Sequence, residues 1–351
     1  MEEKYKKGRG SQIQVSNRFL NAQYVTDHPE GLDEPLLDES IRTQVFYETP
    51  KKVVNKVTSP DVGMEYSLNP YQGCEHGCIY CYARTTHEYW GYNVGLDFES
   101  KIIVKRNAAE LLEKQLLKKS WKACPIVLSG NTDCYQPLER KLKITRSLLK
   151  VFNRYKHPVV IITKNTLVLR DIDVLEELSR DNLVRVILSI TTLDDKLRPL
   201  MEPRTATAEK KMKAINVLTK LGVQVSIMNA PIIPGLNHQE IPAIIKRAAA
   251  SGAMSAGYTT VRLNGKVADV FHDWLTKNFP DRAEKVWNQI KALHNGNVSD
   301  SEFGRRMRGE GNYSEIIKQL FTHSVKKYMP KTIMEPLNIS KFRKGGNYML
   351  F

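Results

Sequence analysis

No apolar run in the 351-residue chain approaches the ~18 residues that a membrane-spanning helix needs, and "MEEKYKKGRGSQ" at its start has no hydrophobic segment of the secretory kind. A cytoplasmic protein with no membrane partner is expected. Cysteine is scarce: five in a chain this long exclude a disulfide framework, so in a reducing compartment clustered thiols point to a metal or to catalysis. No internal repeat or low-complexity tract is present. Negative charge is also in deficit, with 38 Asp and Glu against 53 Lys and Arg, for a net charge of +15.

The excess positive charge falls in the body and tail, since the first 60 residues balance. The densest run, "PLERKLKITRSLLKVFNRYK", places Leu138, Leu142, Leu149 and Phe152 on one helical face. Lys143, Arg146, Lys150 and Arg154 form a stripe on another. Such a stripe can follow a phosphate backbone or can be the solvated outer face of a packed helix.

With 41% hydrophobic residues the chain can bury one large core. Six β-branched runs, "EYSLNPY", "PIVLSG", "HPVVIITK", "LVRVILSI", "VQVSIMNA" and "AGYTTVRL", alternate with helical patterns near 107 to 119, 137 to 156, 170 to 180, 207 to 221 and 239 to 251, with another at 267 to 291. In the 207 to 221 helix, Thr207 is a candidate N-cap, Met212, Ile215, Leu218 and Leu221 form the buried stripe, and Gly222 ends it. Alternation of this kind predicts a parallel α/β sheet, either open and doubly wound or an incomplete barrel, with chemistry at the C-terminal strand ends. The expected organisation is an irregular leader over residues 1–65, an α/β body over 66–291, and a helical extension with an irregular tail over 292–351.

The segment "NPYQGCEHGCIYCYAR" holds Cys74, Cys78 and Cys81 directly after the first predicted strand. A structural zinc site is normally closed by four ligands from two separated pairs, and no second pair exists here. His76 or His87 completing a Cys3His zinc site is one reading. A cubane with three irons held by cysteine and one iron left open is the other.

"CEHGCIYC" resembles the C-x3-C-x2-C signature of radical S-adenosylmethionine (SAM) enzymes, with Tyr80 before the third cysteine. The resemblance implies an incomplete (β/α)6 TIM-like barrel. It also implies a [4Fe-4S] cluster held by Cys74, Cys78 and Cys81, SAM on the open iron, and a reducing partner such as a flavodoxin or ferredoxin. The stretches "GLDFESKIIVK", "GNTDCYQPLER", "ITKNTLVLRDIDVL", "SITTLDDKLRPLMEPR", "APIIPGLN" and "FPDRAEKVW" look like the branch related to spore photolyase, which adds a nucleic-acid substrate as an expectation. Carried over residue by residue, Tyr80 contacts the adenine, Thr132 of "GNTD" contacts SAM, Lys164 pairs with the SAM carboxylate, and Ser189 meets the ribose. Gly130 stands where the photolyase places its hydrogen-donor cysteine. Cys134 is then a replacement donor, a ligand of something else, or an inert small residue, and Cys124, at a strand start, reads as structural. Arg204, Arg305 and Arg308 are candidate substrate contacts, with salt bridges inside their loops as the alternative. The rival to the enzyme reading is a non-enzymatic zinc or iron-sulfur protein that binds nucleic acid or senses redox state.

Overall fold

The structure is a computed structural model that describes residues 5–19, 42–330 and 334–345. Six strands run parallel: β1 (Tyr66–Leu68), β2 (Ile126–Leu128), β3 (Val159–Thr163), β4 (Val184–Ser189), β5 (Gln224–Ile232) and β6 (Ser255–Thr260). They neighbour one another in sequence order, with Val54–Lys56 antiparallel to β1 at the edge. This order separates the two expected architectures. A doubly wound sheet reverses direction at a switch point, whereas right-handed crossovers that always step the same way put every helix on one face. The sheet is the incomplete barrel.

The crossover helices are α1 (Ala108–Leu116), α2 (Ile144–Arg154), α3 (Ile172–Arg180), α4 (Ala208–Lys220) and α5 (Ile241–Ala250). After β6 come α6 (Val267–Asn278), α7 (Ala283–Leu293) and α8 (Gly311–Tyr328). The predicted helix over 137 to 156 is broken, because Lys143 takes a left-handed φ of 54° between Glu139–Leu142 and α2. In α4 the Thr207 hydroxyl accepts from the Lys210 amide and Gly222 has φ 77°, so both expected caps form.

Strand parity sorts the two faces of the barrel wall. Val184, Val186 and Leu188 enter the main core with Leu148, Leu175, Ile215 and Ile244 of the helices. Val127 and Val160, with Ile162 and Ile187, face a smaller interior cluster. Burial on both faces explains why these strands read as continuous apolar runs. Leu337 completes the interior cluster from the tail. At the N-terminal strand ends, Arg185 and Gln224 donate to the Glu335 carbonyl and the Asn338 amide donates to the Asn182 carbonyl. The tail expected to be irregular thus closes the bottom of the barrel; residues 346–351 of it lie outside the described residues.

The leader also differs from expectation. Gln44–Glu48 pairs parallel with Lys101–Lys105, which pairs antiparallel with Tyr71–Gln72, making a small second sheet beside the barrel. Its strands come from segments far apart in sequence, a pairing that local periodicity does not reveal. Residues 9–12 are buried against the loop that follows β1. A Cβ on Gly10 would stand 1.8 Å from the Gly77 carbonyl oxygen, so only glycine fits there.

Candidate active site

The cysteine loop leaves the small sheet at Gly73 and turns again at Gly77, both with left-handed φ. A Cβ at Gly73 would meet the Lys101 carbonyl at 2.9 Å, and one at Gly77 the Glu99 carboxylate at 2.8 Å. The loop is anchored by Arg84, which is fully buried. Its Nε donates to the Cys78 carbonyl at 2.9 Å, its Nη1 to Val94 and Gly95, and its Nη2 to Glu99 Oε1 at 2.5 Å. Glu99 in turn accepts from the amides of Gly10 and Ser11 at 2.9 and 2.8 Å. Leader, loop and second sheet therefore meet on one buried ion pair.

The same geometry places the three thiols on one short loop. Cys74 and Cys78 are buried and Cys81 is half-buried. Burial, followed by the Glu202 carboxylate, pushes the Cys78 thiol well up, and burial with the Cys74 thiolate raises Cys81 to about 11. The surrounding protein alone thus disfavours the thiolate at Cys78 and at Cys81, and a cationic metal core would offset that. Among the described residues no three His, Cys, Asp or Glu side chains gather closely enough for a single metal ion. Three cysteine thiols on one short loop are the donor set that a cubane takes at three of its irons, and Cys74, Cys78 and Cys81 would be the residues that hold it.

Both candidate histidines have partners of their own, and His76 also meets the Cys74 side chain. His76 Nδ1 lies 3.3 Å from Asp133 and Nε2 is 3.3 Å from the Asn165 amide. Burial would lower its pKa, but Cys74 and Asp133 outweigh that and raise it to about 10. His87 is enclosed by Tyr92 and Phe98, and burial lowers it to about 4.

Lys164 follows β3 and reaches the cysteines. Its amide is held by Asp133, which also accepts from the Thr163 hydroxyl and the Tyr135 amide. Its Nζ is 3.3 Å from Thr191 Oγ1, 3.2 Å from the Ala230 carbonyl and 3.3 Å from Glu202 Oε1, and 5.7 Å from the centre of the Tyr80 ring. Burial lowers its pKa, while Cys78 and Cys81 act in the opposite direction. The Tyr80 hydroxyl donates to Glu202, and Thr191 Oγ1 lies 2.5 Å from the same carboxylate oxygen. Lys211, 3.9 Å from Glu202, is lowered to about 8 by burial. Glu202, Thr191 and Lys211 were missed in the sequence; a buried Lys on a helix and a Glu in a loop look ordinary until the fold brings them together.

The other expected residues take several positions. Ser189 ends β4 on the face shared with Arg185 and Ile187, toward the interior. The Thr132 hydroxyl donates to the Tyr71 carbonyl at 2.5 Å, so it braces the loop from below. Cys134 is fully buried in the helix-facing core, its amide on Ser129 and its carbonyl accepting from Thr145. Burial raises its thiol well above the usual range, and the structure does not bring it to the barrel interior as a hydrogen donor. Arg204 lies on the outer side of the cysteine loop, beside Glu75 at 3.6 Å and donating to the Gly8 carbonyl. Arg305 is matched by Asp300, Glu302 and Glu310, and Arg308 stacks 3.6 Å from the Tyr258 ring on the helix-facing side of β6. The three arginines therefore do not form one surface. In the α2 stripe, Arg146 pairs with Asp171 and Asp173, and Arg154 with Glu113. Half of that stripe is neutralised.

A loop carrying three cysteines lies over the C-terminal ends of a six-stranded parallel half-barrel, with a half-buried lysine at the end of the neighbouring strand β3. The chain belongs to the Radical SAM superfamily, whose family model matches residues 68–248, and it is a radical SAM enzyme. It is 31% identical over 234 residues to an uncharacterised protein of Mycobacterium tuberculosis, spanning 66% of this chain and 69% of that one. A second uncharacterised protein, from Methanocaldococcus jannaschii, is 30% identical over 239 residues, spanning 68% and 85%. Spore photoproduct lyase, solved with a dinucleoside spore photoproduct, shares the fold at a TM-score of 0.60 and 14% identity over 82% of this chain and 80% of that one. Among the described residues no helix is long and apolar enough to cross a membrane.

Proposed function

We propose that the protein holds a [4Fe-4S] cluster on Cys74, Cys78 and Cys81, binds SAM beside it, and abstracts hydrogen from a nucleic-acid substrate at the barrel mouth. When bound, the cluster supplies the electron that cleaves SAM reductively to methionine and a 5′-deoxyadenosyl radical, which takes a hydrogen atom from the substrate. The chain's own residues do the rest. Arg84 and Glu99 fix the loop, Lys164 offers a cation for the SAM carboxylate, and Tyr80 is held by Glu202 as one wall of the site. The barrel wall and the tail beneath it exclude water from the interior.

The observation that carries this reading is half-buried Lys164, whose Nζ lies 5.7 Å from the Tyr80 ring centre and is close enough to Cys78 and Cys81 for their charge to act on it. For the substrate, support comes from Arg262, just beyond β6. It is within electrostatic reach of Tyr82, whose hydroxyl donates to the Gly130 carbonyl, and it has no carboxylate within ion-pair distance among the described residues. The test is anaerobic reconstitution followed by SAM and dithionite. Release of 5′-deoxyadenosine is expected, and a reconstituted protein that leaves SAM intact would refute the reading. Binding to duplex DNA that fails to weaken with salt would remove nucleic acid, because log K falls by about 0.9 per phosphate contact per decade of salt.

A further inference from the structure

Beside Glu75 of the cysteine loop lies a cleft of about 1110 Å³ whose lining includes neither Lys164 nor Tyr80. Eight of its lining residues are Lys or Arg, and Glu75 is its one carboxylate. Lys7, Arg42, Arg140, Lys141 and Lys210 are exposed and have no ion pair among the described residues. Glu75 itself is answered by Thr43 and Arg204. The floor of this cleft is the cysteine loop: Glu75 follows Cys74 directly, Arg204 donates its amide to the His76 carbonyl at 3.4 Å, and Asn165 holds the His76 ring. A focused positive potential therefore sits over the backbone of the cluster loop.

Lys164 Nζ and the Tyr80 ring, 5.7 Å apart, do not line this cleft, so an atom-transfer substrate bound here would not meet them. Hydrogen abstraction requires contact, whereas an electron crosses a thin wall of protein. We infer that this cleft is the docking surface for the reductant, an acidic one-electron carrier protein that enters it with a carboxylate-rich face. The inference rests on the reading that Cys74, Cys78 and Cys81 hold the cluster. In the step itself the carrier loses one electron, as when a flavin hydroquinone becomes its semiquinone, and the oxidised cluster gains it. The complementary charges steer the encounter and weaken it with salt.

The test uses reconstituted full-length protein and a fluorescently labelled acidic flavodoxin, comparing wild type with the triple variant Arg140→Glu, Lys141→Glu, Lys210→Glu. These side chains are exposed, so the fold is expected to survive. Affinity by anisotropy should fall tenfold or more at low salt and lose most of its salt dependence, and cluster reduction by flavodoxin hydroquinone should slow in proportion. Reduction by dithionite and its 5′-deoxyadenosine yield should stay at the wild-type level. Unchanged flavodoxin affinity overturns the proposal, as does a triple variant that keeps that affinity but loses duplex-DNA binding, which would make the cleft a nucleic-acid surface. Absence of cluster or of dithionite-driven SAM cleavage in wild type would instead sink the underlying enzyme reading, while the anisotropy arm still reports on the cleft.

Discussion

Replacing Arg84 with methionine keeps most of the side chain's volume and removes its fork. In the native loop that fork serves four acceptors: the carbonyls of Cys78, Val94 and Gly95 and the Glu99 carboxylate. Arg84 and Glu99 are both fully buried, so water cannot replace the lost donors. Removing one partner of a buried ion pair costs about 3–5 kcal/mol, much of it the desolvation of the charge left behind. Each stranded carbonyl adds roughly 1–3 kcal/mol if it finds no new donor, and these costs overlap because the loop can rearrange. Glu99 retains the Gly10 and Ser11 amides, which puts the expected loss near the lower end, about 3–4 kcal/mol. That loss falls on the segment carrying the thiols, so iron and sulfide per chain after reconstitution should drop before the barrel unfolds. Arg84→Lys keeps the charge but not the fork and should lie between the two. The assay is iron and sulfide content with visible absorbance, beside urea unfolding followed by circular dichroism. Full cluster occupancy with wild-type stability in Arg84→Met would refute the anchoring role.

Lys164→Ala should keep the cluster absorbance and weaken SAM binding by ~1.5–3 kcal/mol, the range of a charge-assisted hydrogen bond, measured by calorimetry on the reconstituted protein. Cys74→Ala, Cys78→Ala and Cys81→Ala should each abolish the cluster, whereas His76→Ala should still bind iron and sulfide, the reverse of what a Cys3His zinc site requires. Gly10→Ala should lift the leader from the loop, seen as faster proteolysis near residues 5–19, because its Cβ meets the Gly77 carbonyl at 1.8 Å. His157 is held neutral, with burial lowering its pKa to about 4 while Nδ1 donates to the Pro158 carbonyl and Nε2 accepts from Trp121. The unfolded chain then binds the extra proton between about pH 6.5 and 4, so stability should fall by roughly 3 kcal/mol as pH drops through that window, and His157→Gln should flatten this part of the urea-midpoint profile.

The body of the fold was legible because its signals are local. Strands β3 to β5 carry β-branched runs, α4 carries its own caps, and the three cysteines match the signature of the family to which the chain belongs. Lys164 was legible for a related reason, since a residue ending a strand of a parallel barrel points to the functional rim. Contacts that are distant in sequence were less accessible. Thr132 follows a strand end as Lys164 does, but its hydroxyl reaches the Tyr71 carbonyl, a partner that no pattern in "GNTD" discloses. Cys134 sits two residues further on, and the turn that begins at the left-handed Ser129 carries it into the helix-facing core.

The arginines show how far charge can be read without a fold. Arg84 lies three residues past the last cysteine and looks like one more surface cation in a basic chain, yet it is fully enclosed because Glu99 meets it from the short helical turn Leu96–Ser100 that leads into the second sheet. Arg305 lies in a run that looks like a phosphate site and is instead surrounded by Asp300, Glu302 and Glu310. The sign of a residue's charge is written in the sequence, but its availability depends on which carboxylates the topology brings within ~4 Å. Arg140 and Lys141 remain open because the short helix carrying them ends at the left-handed Lys143, with no carboxylate in ion-pair range of either among the described residues. Among the described residues, exposed cations without an ion pair thus include a group above the cysteine loop, where the helical pattern breaks, while two of the four in the regular stripe are paired.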